Sequence, residues 1–280
     1  TIHSSYLRMF KTKIFPSVFE ANTAELVNVS DNLLTGLKIE HDGRSYVVGE
    51  LALIEGSAPH KGINNAPSDL DYQLLFRAAL AVAKVGAEEP MYIVTGFPYS
   101  TYAAHRRAAE NLIKGTHTIE YDGRTFGRNS DASLRAEVAQ AEVIPEIEGF
   151  VAGAQKGELQ ETDPFFAVGL GYGTMETALS LSSGIVQRTM TSANGLQYAT
   201  QLMADRLQQE HYLDMLTEHQ LDMAMRKGSI VIGRKKMDLT DLRREVLNTY
   251  YDDVVSPALE RAFSNSDFGR ASKMYIGGGG

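Results

Sequence analysis

The stretch from Phe165 to Thr177, FFAVGLGYGTMET, constrains the fold more than any other part of the sequence. Its apolar run ends in three closely spaced glycines and a threonine, Gly169, Gly171, Gly173 and Thr174. This pattern predicts a buried strand that turns sharply. Glycine permits positive φ and close approach of a ligand, and successive backbone N–H groups in such a turn can form a nest for phosphate. A tight glycine hairpin without a ligand fits the same residues, because isolated glycine motifs are weak signals.

Strands and helices alternate ahead of this stretch, which predicts an α/β architecture. We expect strands over 90–96 and 139–144, and helices over 69–85, 100–114 and 148–156. Ser68 is the expected cap of the first helix, and Ser100 or Thr101 that of the second. Asp42-Gly43 and Asp122-Gly123 predict two hairpins, and residues 55–67 a loop. The polar segment 157–164 is the expected hinge between two domains.

Shorter elements are expected after the glycine-rich stretch. The pattern predicts strands over 178–181, 185–190, 229–232 and 274–276. It predicts helices over 196–210, 212–226 and 239–263, the last with a kink at Pro257. The final strand runs directly into a second glycine cluster, Gly277 to Gly280.

Two glycine clusters that each follow a strand favour a nucleotide site. A Rossmann-type dinucleotide site fits less well, because its Gly-x-Gly-x-x-Gly motif should open a helix, whereas these glycines lead into a second strand. The sequence also has no Gly-Lys-Ser/Thr phosphate loop.

Glu146 is the one candidate catalytic residue. It follows Pro145 at the carboxyl end of an expected strand, where catalytic groups of α/β folds are found, and it could orient or deprotonate a water. From the residues alone, a surface or capping carboxylate is the commoner role for such a glutamate. The seven histidines show no metal-ligand spacing, so no metal-binding residue is expected.

Composition limits the partners. The net charge of −8 argues against a chain-wide nucleic-acid-binding surface, because phosphate contacts need clustered Lys and Arg, so a link to DNA would run through an adaptor protein. The absence of cysteine excludes disulfides and cysteine-based metal sites, and it fits a reducing cytoplasm. No apolar run reaches the ~20 residues of a membrane helix, and no membrane partner is expected.

Six segments in order resemble the actin fold family, specifically the bacterial ParM/Alp branch of plasmid-segregation filament proteins. The resemblance covers nearly the whole chain. The segments are FPS (15–17) with YVVGELA (46–52), IVTGFPYSTY (93–102), EVIPEIEGFVAG (142–153), AVGLGYGTMETAL (167–179), TSANGLQYATQLMADRL (191–207) and MYIGGGG (274–280).

The resemblance implies an actin-like (ribonuclease-H-like) two-domain α/β fold with a cleft for ATP/ADP and Mg²⁺ between the domains. Domain I would span 1–161, with a small insert subdomain at about 25–66, and domain II would span 162–280. It also implies head-to-tail self-association into filaments, which ATP hydrolysis destabilises.

The resemblance also implies roles for individual residues. Glu146 would position the attacking water, and Gly171, Gly173 and Thr174 would hold the β- and γ-phosphates. The ribose would be bordered by Gly195 and Asp205, and the adenine by Gly277, Gly278 and Gly279.

Three features depart from the family pattern. Gly169 stands where the family has an Asp that helps to hold the hydration shell of Mg²⁺, so metal binding and hydrolysis are both in question. The family's amino-terminal Asp-x-Gly phosphate turn and the helix and strand after its adenine glycines are not in the sequence, which we interpret as incomplete ends. The leading hypothesis is a weak ATPase that forms filaments and segregates plasmid DNA. The alternatives are a non-hydrolysing scaffold filament and a small-molecule kinase on the same fold.

Overall fold

The computed structural model of the chain describes residues 12–63, 65–85, 90–128, 131–213 and 216–278. Within these ranges the strands form a seven-stranded sheet, a five-stranded sheet and a separate two-stranded hairpin. Helices lie between the strands in both parts of the chain, as the alternating sequence pattern predicts.

The first sheet comes from the amino-terminal part of the chain. Its strands are β1 (Val18–Ala21), β2 (Lys38–His41), β3 (Arg44–Val48), β4 (His60–Lys61), β5 (Met91–Phe97), β6 (Gly115–Tyr121) and β7 (Ala132–Pro145). They lie in the order β4–β1–β3–β2–β6–β7–β5. Of these neighbours, β5 and β7 are parallel, so their carboxyl ends meet at one edge, where Phe97 pairs with Pro145.

The helices that the structure describes in this part are α1 (Glu50–Glu55), α2 (Leu70–Lys84), α3 (Tyr99–Ile113) and α4 (Glu146–Lys156). Pro98 and Pro145 are the N-cap residues of α3 and α4, so both helices begin where β5 and β7 end. The fixed φ of proline suits this approach to a helix, because no N–H is needed there. The core between helices and sheet includes the fully buried side chains of Leu74, Ile113 and Ile119.

The second sheet contains β8 (Phe165–Leu170), β9 (Thr174–Leu181), β10 (Gly184–Ile185), β11 (Thr191–Asn194) and, from much later in the chain, β14 (Lys273–Gly277). The order is β10–β9–β8–β14, and β11 also pairs with β9. The two-stranded hairpin is β12 (Ser229–Ile232) with β13 (Lys235–Asp238). The helices described in this part are α5 (Gln197–His211), α6 (Glu218–Lys227), α7 (Thr240–Tyr250), α8 (Ser256–Ala262) and α9 (Asn265–Phe268).

Helix α4 joins the two parts of the chain. It follows β7 of the first sheet without a break, yet its apolar side chains Ile147 and Val151 are buried with Phe165 of β8 and Ala178 of β9. The first turn of α4 therefore lies at the boundary between the two sheets. The domain limits expected from the sequence, 1–161 and 162–280, remain a prediction.

Several elements expected from the sequence have other bounds because local hydrogen bonds decide them. Asp122-Gly123 does not turn a tight hairpin: the Asp122 carboxylate accepts the Arg124 N–H at 3.0 Å and caps a 3₁₀ turn, Gly123–Phe126. The strand expected over 185–190 is wrong beyond Ile185. The buried Thr189 hydroxyl accepts the Leu179 N–H of β9 and donates to the Val186 carbonyl, which closes a second 3₁₀ turn, Gln187–Thr189. The loop over 55–67 contains the short strand β4.

The helix boundaries also differ. Asp69 and Pro98, not Ser68 and Ser100 or Thr101, cap α2 and α3. The helix expected from residue 212 begins only at Glu218, where Thr217 and Gln220 form a capping box. The helix expected over 239–263 contains a π-helical segment, Tyr251–Val255, immediately ahead of Pro257.

Candidate functional site

The glycine-rich turn connects β8 to β9 and is held from both sides. Gly171 donates its N–H to the Thr174 carbonyl at 2.9 Å, which closes the turn. The first residues of the α5 segment then bind the carbonyls of the turn: Gly195 N–H to Gly173 O at 3.1 Å, Leu196 N–H to Gly171 O at 3.1 Å and Gln197 N–H to Tyr172 O at 2.8 Å. The turn is thus fixed by the amino-terminal end of a helix.

Gly171 and Gly195 allow close approach of the backbone, and positive φ is not the reason for the three glycines of the turn. Gly169, Gly171 and Gly173 are not among the described residues with positive φ, so this part of the sequence-based interpretation is wrong. A Cβ on Gly171 would lie 3.0 Å from the Thr174 carbonyl oxygen, and a Cβ on Gly195 would lie 2.4 Å from that of Tyr172. Both positions must therefore lack a side chain for the backbone segments to pack.

Two backbone donors remain free in the turn. In the part of the chain that the structure describes, the N–H groups of Tyr172 and Gly173 have no hydrogen-bond acceptor. Adjacent free N–H groups beside the amino-terminal end of a helix are suited to an anion such as phosphate. Thr174, the first residue of β9, follows directly with its hydroxyl.

The second glycine cluster lies beside the first. Gly277 in β14 pairs with Gly169 in β8, because the two strands are parallel and end at the same edge. Gly277 leaves room for the Phe150 ring of α4, which would lie 2.7 Å from an added Cβ, and Gly278 has a φ of +133°. Gly279, also expected at the site, lies outside the described residues.

Glu146 begins α4 at the boundary between the sheets. Its aliphatic part lies against Gly96 of β5, where an added Cβ would be 2.8 Å from Glu146 Cγ. Its side chain remains exposed on one side, but burial of the carboxyl group and the neighbouring negative charge of Glu176 raise its pKa to about 7. A carboxyl group with such a pKa can accept a proton from water near neutral pH.

Glu176 is a buried carboxylate that sequence reasoning missed. It lies in β9, opposite Gly169, with 3 % of its surface exposed. It accepts the backbone N–H groups of Tyr99 and Ile147 and the hydroxyl of Ser192. Burial raises the pKa of Glu176, and these hydrogen bonds oppose the rise. The sequence signal that could have identified Glu176 is a single charged residue within the otherwise uncharged strand β9.

Asp205 lies on the exposed face of α5, where its carboxylate accepts a hydrogen bond from Gln201 at 3.2 Å. It is eight residues beyond the start of the helix, which places it about 12 Å along the axis from the glycine turn. The structure therefore places Gly195 at the turn and Asp205 farther along the same helix.

Lys61 reaches the turn from the first sheet. Its ammonium lies 3.4 Å from the centre of the Tyr172 ring and 2.8 Å from Asp222 Oδ2 of α6. The Lys61 and Asp222 side chains are both mostly buried, at 13 % and 12 % exposed. This charged pair joins β4 to α6 across the glycine turn.

A wide apolar groove lies elsewhere among the described residues. It has a volume of about 980 Å³ and follows the open edge of β5, where it is lined mainly by apolar residues such as Phe15, Phe76 and Met91. Glu146 is at its border, but the glycine turn is not part of it. An apolar groove of this kind does not suit a charged phosphate group, so the free N–H groups of the turn are the better anion site.

Within the described ranges, no three His, Cys, Asp or Glu side chains are grouped closely enough to hold a metal ion. None of the helices described there has both the length and the apolar character needed to cross a bilayer.

Two α/β parts joined by a helix, with two strand ends and a glycine turn at their boundary, define the actin-like class of fold. Solved structures that share it include the following three. A non-polymerisable quadruple mutant of pCBH ParM is 16 % identical with a TM-score of 0.74, over 96 % of this chain and 83 % of that one. A 15-stranded ParM filament from Clostridium botulinum is 16 % identical with a TM-score of 0.72, and its match covers the same shares of the two chains. The archaeal actin homologue Ta0583 in complex with ADP is 14 % identical with a TM-score of 0.70, over 96 % and 81 %.

The family model for the N-terminal domain of actin-like proteins matches residues 3–149. The chain therefore belongs to the actin-like protein family, which confirms the expected fold and the resemblance. A comparison with curated proteins finds no match.

Proposed function

We propose that this chain binds ATP at the glycine turn, hydrolyses it slowly with the help of Glu146, and assembles head to tail into filaments. The observation that carries the proposal is the pairing of Gly169 with Gly277 beside the first turn of α4. It brings both glycine clusters and Glu146 to one boundary between the sheets. The ADP complex of the archaeal homologue and the ParM filament support nucleotide binding and self-association, respectively.

The residues at this boundary fit the phosphate part of a nucleotide. The free N–H groups of Tyr172 and Gly173 would bind phosphate oxygens, with Thr174 as a further donor. Gly277 and Gly278 would border the adenine, and Gly195 the ribose. Mg²⁺ would neutralise phosphate charge. Because Gly169 has no side-chain carboxylate, the ion would be held mainly by the nucleotide itself.

Glu146 would act on the attacking water. Its raised pKa allows it to accept a proton near neutral pH, and its fixed place at the start of α4 allows it to orient the water. The chain would thus contribute positioning and a base, while the phosphate charge would be stabilised by the backbone donors of the turn.

The filament would act in DNA segregation. With a net charge of −8, the chain would attach to plasmid DNA through a basic adaptor protein and not directly. A cytoplasmic location agrees with this role and with the absence of cysteine.

Light scattering with and without Mg·ATP, combined with phosphate release, tests the proposal. We expect scattering to rise at micromolar protein when ATP is added, with slow phosphate release. Glu146→Gln should still assemble but release phosphate at least 10-fold more slowly, since general-base catalysis contributes about 10²–10⁴-fold. No nucleotide-dependent rise for the wild-type chain would contradict assembly, and an equal rate for Glu146→Gln would contradict the role of Glu146.

Gly169 supports a second candidate, a scaffold filament that binds but does not hydrolyse ATP. Position 169 offers no carboxylate, and the nearby Glu176 carboxylate is already occupied by three protein donors. In that case the wild-type chain assembles with ATP and releases no phosphate, which the same two measurements reveal.

A further inference from the structure

Glu176 connects the two parts of the chain at the base of the candidate site. Its Oε1 accepts the N–H of Tyr99, the first residue of α3, and its Oε2 accepts the N–H of Ile147, the second residue of α4, at 3.0 Å. The first N–H groups of a helix have no partner inside the helix. One side chain of β9 therefore supplies acceptors to the ends of two helices that belong to the other sheet.

We propose that Glu176 is a positioning residue for Glu146: its carboxylate binds the first turns of α3 and α4 to β9 and so fixes the side chain that precedes Ile147. The proposal rests on the proposed function only for the reaction that Glu146 performs. The contacts themselves do not depend on a nucleotide.

A carboxylate is suited to this place and a neutral side chain is not. Two helix amino termini direct their partial positive charges to this point, and hydrogen bonds from N–H groups to a charged acceptor are about twice as strong as neutral ones. The described residues contain no salt bridge to Glu176, so its buried charge depends on the Tyr99, Ile147 and Ser192 donors. Removal of the charge should therefore loosen both helix ends.

The same charge acts on Glu146 through space. Burial is the larger cause of the raised pKa of Glu146, and the negative charge of the Glu176 carboxylate is the second cause. The ionisable groups that share the lining of the apolar groove with Glu146 are Lys13, Tyr72 and Tyr92. Lys13 donates to the carbonyl of Val82, at 2.8 Å, and burial raises the pKa of Tyr72 above its usual value.

Glu176→Gln tests both effects in the nucleotide-free chain. Gln keeps one oxygen, so it can satisfy Tyr99 or Ile147 but places an NH₂ group against the other N–H. We expect faster hydrogen exchange at the Tyr99 and Ile147 amides. We also expect a lower titration midpoint for Glu146. The midpoint is measured by ¹³C NMR of the Glu146 carboxyl carbon, whose signal is identified by its absence in Glu146→Gln.

Glu158→Gln is the matched control, because it makes the same chemical change at an exposed position just after α4. It should change neither the amide hydrogen exchange nor the titration midpoint of Glu146. Glu176→Asp separates charge from geometry: the shorter side chain keeps the charge, so the Glu146 midpoint should stay raised while amide exchange becomes faster. This variant also tests the proposal should Glu176→Gln not fold.

Unchanged exchange at both amides in Glu176→Gln, or in Glu176→Asp if only that variant folds, would overturn the proposal. An unchanged Glu146 midpoint in Glu176→Gln would overturn the electrostatic part. If the chain hydrolyses ATP, Glu176→Gln should lower kcat more than it raises KM, and the acid limb of the kcat profile should move to lower pH. Absence of ATPase activity in the wild-type chain would contradict the proposed function without affecting the exchange and NMR results.

Discussion

Gly96 shows how a missing side chain can set the position of a catalytic candidate. An added Cβ would lie 2.8 Å from Glu146 Cγ and 3.3 Å from Glu146 Cα, so Gly96→Ala must displace the start of α4. A shift of about 1 Å at a reacting group can cost up to about 10²-fold in rate. We expect Gly96→Ala to bind ATP with nearly unchanged affinity but to release phosphate roughly 10- to 100-fold more slowly.

The control for this change is Gly153→Ala. Gly153 lies in the same helix as Glu146, but a Cβ added to it has open space around it, and alanine favours the helix. This variant should keep the wild-type rate. Equal rates for Gly96→Ala and Gly153→Ala would show that contact with Gly96 does not position Glu146.

Gly169 can be tested by restoring the carboxylate typical of the family. A side chain fits there, because the nearest atoms to an added Cβ are Ile147 Cδ1 at 3.6 Å and the Glu176 carbonyl oxygen at 4.0 Å. Since Gly169 and Glu176 are cross-strand partners, an Asp would share the face of Glu176 and add a negative charge close to two others. We expect Gly169→Asp to be less thermally stable than the wild type without Mg²⁺ and to release phosphate faster with Mg·ATP.

Gly169→Asn has the same shape without the charge and is the matched control. Mg·ATP should raise the melting temperature of the Asp variant more than that of the Asn variant. The same increase in both variants would show that a carboxylate at this position does not contribute to metal binding.

The sequence indicated which residue types occur at the site, but it did not indicate the contacts that require them. The spacing of Gly169, Gly171 and Gly173 indicated a turn, and the structure has the turn. Gly195 is required because α5 packs on the carbonyls of that turn, a contact between segments about 20 residues apart. Glu176 was missed because a glutamate in a strand indicates a solvated face unless the donors of α3 and α4 are known to surround it.

Among the elements, α5 has the closest connection with the site, since its amino-terminal end binds three carbonyls of the glycine turn. Gly195→Ala would place a Cβ within 2.6 Å of three backbone atoms of that turn. We expect a loss of about 1–3 kcal/mol of stability, as for other overpacked sites. Nucleotide affinity should fall at least 10-fold, because α5 and the turn must separate; isothermal titration calorimetry measures this.

Gly269→Ala provides the comparison, because an added Cβ there is at an ordinary 3.6 Å from its nearest neighbour. It should change neither stability nor affinity appreciably. If Gly195→Ala loses stability but binds nucleotide as the wild type does, the contact between α5 and the turn is structural only.

Element types were predicted better than element ends. Long segments with helical periodicity, such as α2 and α3, formed where expected, because burial of an amphipathic face requires only the local pattern. The ends depended on individual hydrogen bonds, as with the hydroxyl of Thr189. The π-helical segment ahead of Pro257 has a local cause, since proline cannot donate the N–H that a continuous α-helix needs, but the sequence indicated only a kink.

At the scale of the whole molecule, the pair Lys61–Asp222 connects β4 of the first sheet with α6. Asp222→Ala would leave a mostly buried ammonium without its carboxylate, and loss of one partner of a buried pair costs about 3 kcal/mol. We expect the free energy of unfolding, measured by urea denaturation, to fall by this amount. Hydrogen exchange in the glycine turn should also become faster, because Lys61 lies against the Tyr172 ring.

Asp241→Ala is the control, because Asp241 and its partner Arg244 are exposed, at 95 % and 69 %. Such surface pairs contribute roughly 0–1 kcal/mol. Similar stability losses in the two variants would show that the Lys61–Asp222 pair does not hold the two sheets together.

The overall fold was predictable because six segments occur in the family order, although solved relatives are only 14–17 % identical. What the sequence could not indicate is which distant segments touch. The pair Lys61–Asp222 spans 161 residues, and the contact of Glu176 with Tyr99 spans 77.

The pairing of β14 with β8 has a consequence for synthesis on the ribosome. The chain is made from its amino-terminal end, and β8 through β11 emerge about 80 residues or more before Lys273. Until β14 is added, the side of Gly169 that later pairs with Gly277 is an open strand edge. The first sheet can fold before β14 is made, whereas the site acquires its second wall only with β14. A nascent chain that ends before residue 273 therefore lacks one side of the candidate site, so any nucleotide-dependent step must wait until β14 has been made.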